Sequence, residues 1–220
     1  MPRRSRLVVE GMPHHVTQRG NYCQNVFESR VDFQCYSYWI EKYAGKYNID
    51  IIAYCLMTNH VHFIVIPRSK ENLSLFLNMT HMRYSQYKNK KSKRTGHLWQ
   101  GRFYSSVLDE THLLRAVRYV EQNPVRVNMV EDASDYIWSS AKVHLGLEEN
   151  SIIRTIDVSG LMPDKDGWKD YLKQEDSVIN NIIREKTKKG GVVATEEFIS
   201  SIEQKFGIIL HTKKAGRPKK

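Results

Sequence analysis

Asn59-His60-Val61-His62-Phe63-Ile64-Val65-Ile66 is the stretch on which the reading of this chain turns. Two histidines bracket one valine and lead into an unbroken β-branched and aromatic run. Such a run reads as a strand, which Pro67 ends. Alternate residues of a strand share a face, so both imidazoles project to one side, about 7 Å apart at the backbone. The pair can hold one metal ion. It can equally be two histidines on a polar sheet face, and zinc enzymes with H-x-H strands add a third histidine or a carboxylate.

Working outward, residues 50–57 (DIIAYCLM) read as the preceding strand, with Thr58-Asn59 as a hairpin turn. Residues 14–19 (HHVTQR) read as a first strand and 98–108 (LWQGRFYSSVL) as a fourth. Phe33, Tyr36, Ile40, Tyr43 and Tyr47 recur at helical spacing over 32–48. Leu75, Phe76, Met79, Met82 and Tyr87 mark a helix over 71–89. Asp109 is a candidate N-cap for a further helix that reaches Asn123, before Pro124. The order β-α-β-β-α-β predicts an α+β fold, a ferredoxin-like antiparallel sheet with helices on one face and the other face free for a ligand.

A chain of 220 residues that is 40% hydrophobic can bury a sizeable core. Its net charge of +10 and pI of about 9.4 point to nucleic acid or an anionic surface. From Asn72 to Leu108 no acidic residue occurs, while Arg83, Lys88, Lys90, Lys91, Lys93, Arg94 and Arg102 are basic. Tyr84, Tyr87, Trp99, Phe103 and Tyr104 are interleaved with them. Cations for phosphates and flat rings for unstacked bases suit single-strand binding; a solvated basic loop beside ordinary core aromatics is the plainer alternative. Cys23, Cys35 and Cys55 form no C-x-x-C pair, which argues against a disulfide scaffold or zinc ribbon. No apolar run approaches the ~18 residues of a membrane span, and no signal-type core follows MPRRSR. A cytoplasmic protein is expected.

A third ligand for the histidine pair can come from the helix that Asp109 opens. Leu113, Leu114, Val117 and Val120 form its apolar stripe. His112, Arg115, Tyr119 and Asn123 fall on the other side, and Tyr119 and Asn123 are neighbours at i and i+4. Read by themselves, Tyr119 can be a packing residue at the helix edge and Asn123 part of an N-P turn.

Taken in order, NHVHFIV, LWQGRF and RYVEQNPVR resemble the single-tyrosine transposases of the HUH nuclease superfamily, most closely the REP-associated tyrosine transposase branch, over about residues 5–145. The resemblance implies a ferredoxin-like core with the histidines on a central strand. It implies that His60 and His62 are metal ligands, that Tyr119 is the nucleophile and that Asn123 is the third protein ligand. Many insertion-sequence relatives carry glutamine at that last position. Two imidazoles and an amide oxygen suit Mg²⁺ or Mn²⁺. The implied reaction is cutting and rejoining of single-stranded DNA at hairpins through a 5′-phosphotyrosine link. Arg115 and Arg118 on the tyrosine helix are candidate phosphate contacts. The implied protein is bacterial and nucleoid-associated, a monomer or a homodimer. Two rivals are a domesticated transposase that binds DNA as a regulator without cutting it, and a zinc hydrolase.

The expected domains are a nuclease over 1–148, an extension over 149–210 and a basic tail over 211–220. Residues 131–185 carry twelve acids against six bases. Lys188-Lys189-Gly190-Gly191 reads as a hinge, and 195–206 (TEEFISSIEQKF) as a short helix with a capping-box start. The tail, with Arg217, resembles an AT-hook core, though Ala215 stands where that motif has arginine.

Overall fold

The β-branched runs and the two aromatic helices assemble as their patterns require. A computed structural model describes residues 6–149, 151–158, 160–161, 164–207 and 209–210. The basic tail, with Arg217 and the AT-hook-like sequence, lies outside them. The core is β1 (His14–Arg19), α1 (Arg30–Lys46), β2 (Ile49–Met57), β3 (His60–Pro67), α2 (Asn72–Ser92) and β4 (Tyr104–Leu108). Strand order is β2-β3-β1-β4, each neighbour antiparallel. This is the expected ferredoxin-like order, and it puts the histidine strand between two others. The two crossovers lay α1 and α2 side by side on one face. Ser29 caps α1 by accepting from the Asp32 backbone N–H. Phe33, Tyr36, Ile40 and Tyr43 are buried beneath it.

Four features depart from the sequence reading. First, the fourth strand begins only at Tyr104. Trp99 makes an isolated bridge to Gly20, and Gly101 turns the chain with φ 62° before the ladder resumes. Gly20 itself sits where a Cβ would collide with the Gln24 carbonyl and the Val26 side chain.

Second, the tyrosine helix α3 (Glu110–Glu121) is followed at once by a further turn, α4 (Asn123–Arg126). Pro124 lies in the first turn of α4, where its missing N–H breaks nothing. Asp109 caps α3 as expected, accepting from the His112 N–H at 2.8 Å.

Third, the chain beyond 149 packs on the same sheet. After the short α5 (Ala141–His144) come α6 (Lys165–Lys173), α7 (Ser177–Lys189), β5 (Val192–Val193) and α8 (Glu196–Phe206). β5 pairs in parallel with β4, Val107 facing Val192 and Leu108 facing Val193, so the sheet becomes five-stranded and mixed. Residues 188–191 are therefore not a hinge. Gly190 ends α7 with φ 67°, and the Gly191 N–H returns to the Lys186 carbonyl at 2.9 Å, a tight helix-to-strand junction.

Fourth, α3 and α7 occupy the second face of the sheet, where Tyr119 and Thr187 meet the histidines of β1 and β3. The face expected to be free for a ligand is thus partly roofed. Among the described residues no helix is long and apolar enough to cross a membrane.

Candidate active site at the histidine pair

Strand pairing decides which side chains join the pair. His62 stands opposite Cys55 on β2 and Thr17 on β1, and His60 opposite Met57 and Arg19. His15 faces Ile64, one pleat further along β1, so it shares the face of His62. Its Nε2 lies 2.9 Å from Nδ1 of His62, and the two rings stack with centroids 5.1 Å apart. Nδ1 of His15 lies 2.8 Å from the Thr187 hydroxyl of α7, which in turn meets the Ser106 hydroxyl at 2.9 Å. All four side chains in this chain of contacts are buried.

The tautomers follow. The Asn59 Oδ1 accepts from Nδ1–H of His60 at 2.6 Å, and its amide is oriented by Nδ2 donating to the Cys23 carbonyl. That leaves the lone pair of His60 on Nε2. For His62, a hydrogen-bond run from His62 Nδ1–H to His15 Nε2, and from His15 Nδ1–H to Thr187, leaves the lone pair on Nε2 of His62 as well. The opposite run would put a proton there. A ligating histidine usually donates its other N–H in this way, which fixes its ring and tautomer.

Burial keeps these rings neutral. It pushes His15 down to about 3, helped by Arg126. It pushes His60 down to about 4, helped by Arg19 and Arg126. His62 falls well below the ordinary value through burial first, then His60, His15 and the two arginines. Neutral imidazole is the ligand form.

Tyr119 comes down from α3 onto this group. Its ring stands edge-on to His62 at 5.7 Å and to His15 at 5.5 Å, while His60 meets His62 edge-on at 5.0 Å. Arg126 lies over the tyrosine ring, 4.3 Å from its centroid, and its Nη2 donates to the Tyr119 carbonyl at 2.6 Å. Its buried Nη1 has no hydrogen-bond partner among the described residues. A buried, unpartnered guanidinium N–H beside a tyrosine suits an anionic ligand. Asn123 is buried, with Nδ2 donating to the carbonyls of Tyr119 and Val120 at 3.1 and 3.2 Å; Oδ1 takes part in neither bond.

Among the described residues no three His, Cys, Asp or Glu side chains are gathered so as to hold a metal. A divalent ion here would rest on two imidazoles and a donor of another kind, and the Asn123 amide oxygen, one turn past Tyr119, is of that kind. Such a set lacks the third His, Cys or carboxylate ligand that zinc sites carry.

Behind Tyr119, α3 is tied to the later helices through Glu121. This fully buried carboxylate accepts from Ser140 Oγ at 2.6 Å, His144 Nδ1 at 2.6 Å and the Trp168 indole at 3.3 Å.

These contacts were hidden in the sequence for one reason. His15, Arg126 and Thr187 belong to segments whose partners only the strand register and the packing of α7 reveal. A legible signal did exist for His15, since antiparallel pairing of β1 with β3 brings a histidine of HHVTQR to the same face.

A fold like this one occurs in a solved REP-associated tyrosine transposase bound to a REP hairpin. The match has a TM-score of 0.57 and 19% identity, over 80% of this chain and all of that one. The family model described as IS200-like transposase matches residues 8–123, more than half of the chain, from before β1 to Asn123. The chain belongs to the IS200-like transposase family. A Haemophilus influenzae protein assigned as a REP-associated tyrosine transposase is 24% identical over 105 residues, 43% of this chain and 60% of that relative's length.

Within this chain the expected DNA contacts divide. Arg83, Lys90, Lys93, Arg94, Arg102 and Arg115 are exposed. Lys88 is not: it is buried and donates to Asp32 and Glu28, each at 2.8 Å. Lys91 is committed to the same Asp32 at 2.6 Å. Burial would raise the Asp32 carboxyl, but hydrogen bonds from Lys88, Lys91 and the Glu28 backbone outweigh it and hold the group well below the usual range. The segment lacks acids of its own; Asp32 on α1 and Glu28 just before it supply them. Arg118 is also buried, 4.2 Å over the Tyr171 ring and 3.5 Å from Asp176. Of the five interleaved aromatics only Tyr104 is exposed; Tyr84, Trp99 and Phe103 are core residues, and Tyr87 is half-buried with its hydroxyl on Asp32.

Proposed function

We propose that this transposase is a divalent-metal-dependent endonuclease and strand transferase. Its substrate is single-stranded DNA at hairpin or palindromic repeats, and Tyr119 is its nucleophile. The observation that carries this reading is the tyrosine ring seated edge-on to His62 at 5.7 Å, with Arg126 4.3 Å from its ring centroid. A phenol, two neutral imidazoles and an unpartnered guanidinium suit attack on a phosphodiester better than hydrolysis by a bound water.

In this reading Tyr119 Oη forms a bond to phosphorus while the P–O3′ bond breaks. The phenol proton is lost, and the departing 3′ oxygen takes one up. The product is a 5′-phosphotyrosine and a free 3′-OH, so the phosphodiester energy stays in the link and a second 3′-OH can reclaim the strand without a nucleotide cofactor. The Arg126 Nη1–H faces the negative charge that grows on the phosphate oxygens. His15 and Asn59 hold the two ligand imidazoles in the right tautomer. Mg²⁺ or Mn²⁺, bound by Nε2 of His60 and His62 and Oδ1 of Asn123, would polarise a non-bridging phosphate oxygen. The exposed Arg83, Lys90, Lys93, Arg94, Arg102 and Arg115 hold the DNA backbone.

The test is a labelled hairpin oligonucleotide incubated with the protein and Mn²⁺ or Mg²⁺, then denatured. A covalent protein–DNA band that disappears in Tyr119→Phe supports the reading. Unaltered binding without any band would favour a non-catalytic regulator, and a band that persists in Tyr119→Phe would move the nucleophile elsewhere.

A further inference from the structure

Glu121 interrupts the apolar stripe of the tyrosine helix. It follows Val120 directly and lies one turn past Val117, on the side of α3 that packs against the sheet. A glutamate is almost never fully buried unless it is paired. Two of its three donors, the Ser140 hydroxyl and the Trp168 indole, belong to residues that are fully buried themselves.

Ser140 carries the contact to the sheet. Residues 138–140 run along the free edge of β2: the Trp138 carbonyl accepts from the Leu56 N–H at 2.9 Å, Ser139 bridges to Cys55, and the Ser140 N–H donates to the Tyr54 carbonyl at 3.1 Å. The Ser140 hydroxyl accepts from the Tyr54 N–H at 3.1 Å while it donates to Glu121 at 2.6 Å. On the other side of β2, Tyr54 faces Phe63 and Cys55 faces His62. A run of hydrogen bonds therefore leads from the last residue of α3, through Ser140 and β2, to the strand that carries both histidines.

That end of the helix is where position matters. Glu121 stands midway between Tyr119 and Asn123, the nucleophile and the amide ligand of the proposed reaction. The remainder of α3 is buried through Leu113, Ala116, Val117 and Val120, and apolar contact is non-directional, so it does not fix how far the helix slides or turns. The other polar ties are weaker guides. Asp109 accepts from the Thr195 N–H at 2.7 Å, but at the far end of α3, and the Arg118–Asp176 contact is long at 3.5 Å.

We infer that Glu121 is a positioning residue, which registers the end of the tyrosine helix against the histidine strand and so sets the gap between Tyr119 and His62. The inference rests on the proposed role of Tyr119 and deepens it. Charge as well as shape is needed. A glutamine of the same size would turn an N–H₂ group either on the Trp168 N–H or on the Ser140 and His144 donors.

Two measurements on the full chain test this with Glu121→Gln, Ser140→Ala and Trp168→Phe. One is the single-turnover rate of covalent adduct formation with a hairpin oligonucleotide and Mn²⁺, alongside hairpin affinity. The other needs neither DNA nor metal: the nuclear Overhauser effect between the rings of Tyr119 and His62, whose centroids lie 5.7 Å apart. Glu121→Gln and Ser140→Ala should weaken the ring contact and slow adduct formation by about 10–100-fold, the loss that a displacement of about 1 Å brings, at unchanged hairpin affinity. Trp168→Phe keeps the two shorter bonds and should lose less. Ile40→Val and Ile40→Ala, in the core beneath α1, lower Tm without touching α3 and should keep both the rate and the ring contact. If Glu121→Gln does not fold, Ser140→Ala breaks the same link and decides the matter. Rate and ring contact as in the wild type for Ser140→Ala, or equal losses in an Ile40 variant of matched Tm, would overturn the inference. A wild type that forms no adduct would instead remove the proposed reaction, and the ring contact in the variants would still decide whether Glu121 sets the helix.

Discussion

Replacing His15 by phenylalanine isolates what the buried histidine run does. The ring survives, and with it the 5.1 Å stack on His62 and the edge contact to Tyr119 at 5.5 Å. The nitrogens do not. Thr187 keeps Ser106 as a partner at 2.9 Å, so the group stranded is Nδ1 of the buried His62, which loses its 2.9 Å contact. An unsatisfied buried donor costs about 1–3 kcal/mol. For a chain of this size that lowers Tm by about 2–12 °C. The functional effect is separable. Without a partner for Nδ1, His62 is free to carry its proton on Nε2, and losing such an orienting partner weakens metal binding by about 10–100-fold. Mn²⁺ titration followed by electron paramagnetic resonance reads the affinity, calorimetry reads Tm, and ¹⁵N NMR of the metal-free protein reads the His62 tautomer. Thr187→Ser should behave as the wild type in all three. If His15→Phe binds Mn²⁺ within twofold of the wild type and leaves the tautomer unchanged, His15 does not position His62.

Acid should destabilise the fold through histidines remote from the metal candidates. Burial holds His14 down to about 4, against a smaller opposing effect from the Met12 carbonyl, and holds His81 down to about 3. As pH falls through about 6.5 the unfolded chain takes up protons that the folded state refuses, so each costs the fold about 2 kcal/mol at pH 5 relative to pH 8. His144 runs the other way, because Glu121 outweighs burial and raises it; its contribution is full below about 6.5 and is lost as pH rises past its folded value. Calorimetry should show a net fall in Tm from pH 8 to pH 5, and a flat profile would refute the neutral, buried assignment. Asp32→Ala should destabilise the protein in urea unfolding by less than the roughly 3–5 kcal/mol of a buried charge left wholly unpaired, because Lys88 keeps only the more exposed Glu28 carboxylate. Lys88→Ala should destabilise too, yet leave the salt slope of DNA binding unchanged; a slope lower by about 0.7 would make Lys88 a phosphate contact after all. Arg126→Gln should keep hairpin binding and lower the rate of covalent adduct formation by at least about 100-fold, the size expected for a donor aimed at developing charge. An unchanged rate would remove Arg126 from the reaction.

The order of strands was legible because β3 and β2 announce themselves by β-branched runs and α1 by its aromatic spacing. The His60–His62 pair was legible because a strand has only two faces. Tyr119 was legible as a polar-face residue of α3, since the apolar stripe of that helix is clean. What a linear reading misses is whatever depends on two segments meeting. Lys88 looked like a phosphate contact until α1 brought Asp32 beneath it, and Arg118 until α6 and α7 brought Tyr171 and Asp176. Gly190-Gly191 looked like a hinge because the parallel pairing of β5 with β4 has no local signature: two valines make a strand only when a neighbour is present. His15 needed the register of β1 against β3 to become a neighbour of His62.

Mass spectrometry of the covalent product tests the central claim most directly. After reaction with a hairpin oligonucleotide, nuclease trimming and tryptic digestion, the account predicts one modified peptide, Tyr119–Arg126, carrying a nucleotide through a phosphodiester on Tyr119. A nucleotide on any other residue, Tyr104 included, or hairpin cleavage with no modified peptide at all, would contradict it.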